Sequence, residues 1–139
     1  MIRSRFFAAL LCAVAVSACN NNSTSGTVSA PTTTRTTDTF SGTVQVGSSA
    51  FHSFPVSQTG TTDVTLTATT PSATVVMGLA VGTTGDGGCT PLAGAATNVV
   101  AGSTPQITGV TTSGTLCVQI RDIGQATGPV TYTITVTHP

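Results

Sequence analysis

No lysine, no glutamate and no tryptophan occur in the 139 residues, and charged side chains make up only 6% of them. Each shortage removes a class of function. With four aspartates as the whole acidic inventory, the paired carboxylates of glycoside hydrolysis have almost nothing to draw on. Nucleic-acid binding needs clustered cations to displace counterions from phosphates. The only cations besides histidine are Arg3, Arg5, Arg35 and Arg121, so no nucleic-acid partner is expected. Aromatics stand at 4%, too few for the stacked rings of a conventional sugar-binding platform. Strong helix formers are scarce too. What fills the chain is threonine, valine and glycine, and β-branched residues pack well on pleated surfaces. The composition predicts an all-β protein of one domain.

The first residues have an organisation of their own. Arg3 and Arg5 precede an apolar run from Phe6 to Val16. That run has the length of a signal peptide and falls short of the ~20 residues a membrane-spanning helix needs. It ends in Val16-Ser17-Ala18-Cys19, which resembles the bacterial lipobox: an aliphatic residue, two small ones, then cysteine. The resemblance implies cleavage after residue 18 and a diacylglyceryl group on the Cys19 thiol, with a further fatty acid such as palmitate on the new N-terminus. A single acyl chain anchors only marginally, at about 0.8 kcal/mol per buried CH₂, whereas two or three hold firmly. Asn20 follows the cysteine where aspartate would favour the inner membrane, so the family rule points to the outer membrane. The expected localisation is the bacterial cell envelope, with the membrane as a partner through lipid alone.

After removal of residues 1–18, Arg35 and Arg121 stand against Asp38, Asp63, Asp86 and Asp122, two positive against four negative. Residues 19–38 comprise the lipidated cysteine and a polar stretch rich in Asn, Ser and Thr without apolar periodicity. Such a stretch cannot offset the entropy of ordering and reads as a tether, reaching about 25 Å as a coil.

Residues 39–139 read as the folded domain. In 130–138, Val130, Tyr132, Ile134, Val136 and His138 alternate with four threonines, a period of two that puts the first set inward. Similar inward sets are Val64, Leu66 and Ala68; Leu116, Val118 and Ile120; Phe40, Val44 and Val46; and His52, Phe54 and Val56. The run 74–81 is apolar on both parities, as in a strand covered on both faces. Shorter strands are expected near 97–101 and 106–110. Turn signals separate them, the strongest being Gly85-Asp86-Gly87-Gly88. Seven or eight short strands in about 100 residues predict an antiparallel β-sandwich of jelly-roll or immunoglobulin-like kind. Pro55 removes a ladder donor and predicts an edge strand.

Several of these strands together resemble one family. Phe40-Ser-Gly-Thr-Val, His52-Ser-Phe-Pro-Val, Val64-Thr-Leu-Thr-Ala, Leu116-Cys-Val-Gln-Ile and Tyr132-Thr-Ile-Thr-Val follow the motif order of the bacterial pre-peptidase C-terminal domain, over roughly residues 39–138. That domain is a β-sandwich appended to many secreted hydrolases and surface proteins. The resemblance implies no catalytic residues, and a role in secretion, folding, substrate contact or adhesion. His52 stands where an aromatic is usual.

Cys12 lies in the signal segment and Cys19 takes lipid, which leaves Cys89 and Cys117 as an even pair in an oxidising compartment. A disulfide between them is expected, worth about 3.5 kcal/mol on chain-entropy grounds. Since Cys117 has outward parity, the bridge should staple a Gly-rich loop, 82–96, across the outer face. A redox or metal pair would call for Cys-x-x-Cys spacing or neighbouring histidines. His52 and His138 read as rim residues with inward parity near strand ends, and Ser53 beside His52 faces the opposite way, so no nucleophile–base pair results. Asp86, joined by Asp122, could offer oxygens to calcium, but calcium takes six to eight and a Gly-rich turn supplies few. No catalytic residue, metal ligand or cofactor is expected. Function is read as a lipid-anchored, non-enzymatic envelope module for interaction or structure, with a protein or polysaccharide partner. The alternative is an accessory subunit that binds a secreted hydrolase or its substrate.

Overall fold

Residues 33–139 are described by a computed structural model; the signal segment, Cys19 and the tether up to residue 32 lie outside the described residues. The chain forms eight strands: β1 Thr36–Val44, β2 Ser49–Val56, β3 Gly60–Thr70, β4 Met77–Gly85, β5 Gly88–Val99, β6 Ile107–Thr111, β7 Gly114–Asp122 and β8 Val130–His138. They pair antiparallel in two four-stranded sheets, ordered β1-β8-β3-β6 and β2-β7-β4-β5. This is the all-β sandwich that the alternation predicts.

The core lies where the two inner faces meet. β8 contributes Val130, Tyr132, Ile134 and Val136, and β7 contributes Leu116, Val118 and Ile120; Val64, Leu66, Phe54, Met77 and Leu79 complete the layer. β4 is buried on both parities from Met77 to Gly82, as its doubly apolar run implies. β2 pairs with β7 alone, so Pro55 does sit on an edge strand.

Four expectations need correction. Val46 is 54% exposed, because the strand ends at Val44 and the chain turns through Gly47 at φ 71°. A turn residue has left the strand's parity. Ala68 is exposed as well, because a β-bulge between Leu66 and Ala68 shifts the register with β8, and Thr69 takes the inward place opposite Tyr132. One extra residue in a bulge inverts every parity beyond it.

The third correction is at the start. β1 begins at Thr36 rather than Thr39, so Thr36, Thr37 and Asp38 belong to the sheet and pair with His138, Thr137 and Val136. Arg35 secures this end: its Nη2 donates to Asp63 Oδ2 at 2.7 Å and to the carbonyls of Thr61 and Thr137, each at 3.0 Å. Only Thr37 lies on the outward row, with Thr137; Thr36 and Asp38 take the inward parity opposite His138 and Val136, and Asp38 Oδ2 is 3.1 Å from His138 Nε2.

The fourth concerns the loop expected at 82–96. Those residues are mostly strand, closed by the two-residue turn Asp86-Gly87, whose φ values of 45° and 76° have the positive sign a type I′ hairpin requires. The alternation is unreadable there because β5 breaks step: opposite β4 the register passes from Ala80↔Ala96 to Gly82↔Pro91. Four residues of β5, with Gly94 at φ 76°, therefore bulge out against one of β4.

Candidate functional site

The outer face of the second sheet is built from three rows of side chains, each fixed by strand register. Phe51, Gln119, Ala80 and Ala96 form one row across β2, β7, β4 and β5. Ser49, Arg121, Gly78 and Asn98 form the next, and Ser53, Cys117, Gly82 and Pro91 the third. Outward positions on the first sheet are mostly threonine, whereas β4 contributes Gly78, Ala80 and Gly82 to these rows. The centre of the face is thereby left low.

Two of those small residues are explained by what crosses them. A Cβ on Gly82 would fall onto the Thr90 carbonyl oxygen and within 2.6 Å of the Thr90 carbonyl carbon, so the β5 backbone lies directly over it. This approach brings Cys89 to Cys117, and the two form a disulfide with a Cα–Cα distance of 5.8 Å. Cys117 alternates with the core residues Leu116 and Val118 and so faces outward, yet it is fully buried beneath the hairpin. The staple does lie on the outer side of the sheet. It secures one half of a hairpin rather than a loop.

Gly78 is crossed by Arg121. A Cβ there would be 2.8 Å from Arg121 Cγ and 2.9 Å from its Nε, so the arginine stem lies flat on the glycine. The result is an open groove of about 540 Å³, with Gly78, Ala80 and Ala96 as floor, Cys89 and Pro91 at one end, and Asn98, Gln119 and Arg121 as polar groups. Ligand sites commonly measure 300–1,000 Å³. Arg35 is paired with Asp63, but among the described residues Arg121 has no ion-pair partner.

The histidines are occupied elsewhere and are not brought together. His52, on β2, shares a 2.7 Å hydrogen bond between Nε2 and Tyr132 Oη, and stacks on Phe40 with centroids 4.8 Å apart. Burial holds its pKa below the ordinary 6.5, since desolvation disfavours the imidazolium. His138 is buried, 3.1 Å from Asp38 Oδ2 through Nε2 and beside the Pro139 carbonyl through Nδ1. His138 packs on Phe54 with ring centroids 5.3 Å apart, and each imidazole has its own hydrogen-bond partners, so the two are not bonded to one another. Ser53 faces away from His52, in the Cys117 row.

The two aspartates considered for calcium lie at opposite ends of β4. Asp122 pairs with Met77, while Asp86 follows Gly85, some 26 Å along a strand. Asp122 is also engaged: Oδ1 accepts from the N–H groups of Gly124, Gln125 and Ala126, and Oδ2 from that of Gly47 at 2.9 Å. These donors, Gly47 foremost, hold its carboxyl below the usual carboxylate range and offer a cation nothing. Asp122 clasps two loops. Among the described residues no three His, Cys, Asp or Glu side chains come together as a metal-holding group.

Sequence alone points to Cys89 and Cys117 but not to the groove. Its residues come from three strands, and only their register shows that Arg121, Gly78 and Asn98 are neighbours. The one available signal was the run of small residues at outward positions 78, 80 and 82. Compared with protein-family models, curated proteins and solved structures, the chain finds no match.

Proposed function

We propose that this chain is a lipid-anchored, non-enzymatic binding module of the bacterial cell envelope, held at the membrane through Cys19 and carrying its ligand on the outer face of the second sheet. The observation that carries the anchor is Val16-Ser17-Ala18-Cys19, placed behind an arginine-led apolar run and ahead of a polar stretch. Asn20 after the cysteine favours the outer membrane. The binding role is supported by the groove's low floor and unpaired guanidinium, and by the engagement of both histidines and of Asp122 in holding the fold. None of these last groups is left to move a proton on a substrate.

The five strand motifs that resemble the pre-peptidase C-terminal domain support a second form of the reading, in which the module serves a secreted hydrolase as an accessory subunit. Replacement Cys19→Ala tests the anchor. The variant is expected to leave the membrane fraction and appear in the soluble envelope or medium. Retention in membranes after a high-salt wash would overturn the lipid anchor.

A further inference from the structure

We infer that the groove on the outer face of the second sheet takes a short uronate-containing oligosaccharide, with the sugar carboxylate on Arg121. This rests on the reading of the domain as a binding module and names its ligand class.

The charge comes first. An exposed guanidinium gains little from lying against a protein surface unless something meets it, and arginine's planar fork matches a carboxylate in two parallel hydrogen bonds. Arg121 is laid over Gly78, where any side chain would displace it. With its Nε over Gly78, the side chain lines the groove. No acidic residue of the described chain is paired with it: Asp63 is taken by Arg35, Asp38 lies against His138, Asp122 is held by backbone N–H groups, and Asp86 sits in the hairpin turn at the far end of β4. The missing carboxylate is the ligand's.

The rest of the groove suits a sugar better than a peptide. Asn98 and Gln119 present carboxamides, each both donor and acceptor, the combination that sugar hydroxyls require. Phe51 lies outside the groove's lining, 39% exposed on β2 directly across from Gln119, where its ring could meet the C–H face of a further pyranose. From Phe51 to Ala96 the row spans three interstrand spacings, roughly 14 Å, enough for more than one sugar. A peptide would want either side-chain pockets or a free strand edge to extend. The floor of glycine and alanine has no such pockets, and the bulge at residues 92–95 interrupts the β5 edge. A lone phenylalanine is not the multi-ring platform that the composition rules out. Here the guanidinium and carboxamides supply most of the recognition.

The test uses the full-length chain in detergent, titrated by calorimetry with a tetramer of galacturonic acid, its methyl ester, and a tetrapeptide bearing a free C-terminal carboxylate. The acid tetramer is expected to bind saturably, with affinity falling as salt rises. Methyl esterification and Arg121→Gln should each weaken it at least tenfold. Arg121→Lys keeps the charge but not the fork and should recover only part of the loss. Gly78→Ala, which displaces the arginine without changing charge, should weaken binding too. Circular dichroism confirms that each variant keeps its β spectrum. Equal binding of acid and ester, tighter binding of the peptide, or no saturable heat with the acid tetramer would each overturn the inference. Membrane fractionation of Cys19→Ala reads a different property, so failure of the ligand and failure of the anchor are told apart.

Discussion

Alanine at position 82 is the substitution that most directly tests how the hairpin is held. A Cβ on Gly82 would fall onto the Thr90 carbonyl oxygen, 2.6 Å from its carbon and 3.0 Å from Pro91 Cα. Carbon atoms in contact prefer about 3.5–4.0 Å, so the β5 backbone must retreat by an ångström or more. All three atoms are backbone, and no change of rotamer relieves them. Retreat is opposed by the bond between Cys89, adjacent to Thr90, and Cys117. Overpacking typically costs about 1–3 kcal/mol, and the upper end applies because the disulfide blocks relaxation. At ~4–8 °C per kcal/mol for a domain near 100 residues, the Tm of oxidised protein should fall by at least about 12 °C. Gly85→Ala is the control, since nothing lies within 4 Å of its Cβ position; it should stay within about 0.5 kcal/mol of the parent. With Cys89 and Cys117 both replaced by alanine, the hairpin is free to lift, and the cost of Gly82→Ala should shrink by about 1 kcal/mol or more, a coupling that a double-mutant cycle measures. A Gly82→Ala protein as stable as the parent would refute the close approach. Strict additivity with the cysteine changes would refute the clamp.

Two titrations test the buried polar groups. Asp122 has a folded-state pKa below its ordinary 3.8, so its contribution is present above that value and lost as pH falls through the folded value; urea midpoints for Asp122→Asn should therefore decline less than the parent's between about pH 4 and pH 2, and parallel declines would count against it. His52, lowered from 6.5 by burial, likewise favours the fold above pH 6.5 and ceases to as pH drops through its folded value. An imidazole NMR titration midpoint at or above 6.5 would contradict its place against Phe40 and Tyr132.

The sandwich was legible because period two survives wherever one face is wet and the other dry. β8 is the clearest case, with every inward residue from Val130 to His138 buried. Reading failed where one event reset parity: the turn at Gly47 put Val46 outside, and the bulge after Leu66 exchanged Ala68 for Thr69. It failed again at Thr36–Asp38, where composition alone cannot separate a polar coil from the polar start of a strand. What ordered those residues was Arg35 reaching Asp63 and Thr137, contacts 28 and 102 residues distant. The disulfide was legible by counting cysteines, and its side of the sheet by parity. The groove was not, since it depends on which outward residues of β7, β4 and β5 lie abreast, and register between strands distant in sequence leaves no local mark.

The two outer faces of the sandwich show what that groove costs. On the first sheet the outward hydroxyls satisfy one another across strands, Thr37 with Thr137 at 2.9 Å, Ser41 with Thr133 at 3.2 Å and Thr43 with Thr131 at 3.4 Å, pairs worth about 0.2–1 kcal/mol each. The second sheet forgoes such pairs along β4, and glycine in a strand interior is itself unfavourable. Gly82 is required by the hairpin and Gly78 by the arginine, whereas Ala80, 6% exposed between Gln119 and Ala96, lines the groove. Ala80→Thr adds a methyl and a hydroxyl at a position only 6% exposed, so it should cost about 1–3 kcal/mol of overpacking, while the larger side chain also intrudes on the space proposed for the sugar. Urea unfolding and galacturonate calorimetry on the same preparation read the two effects separately. Unchanged affinity in a normally folded Ala80→Thr protein would mean that the low floor serves no ligand, and that the uronate site lies elsewhere or does not exist.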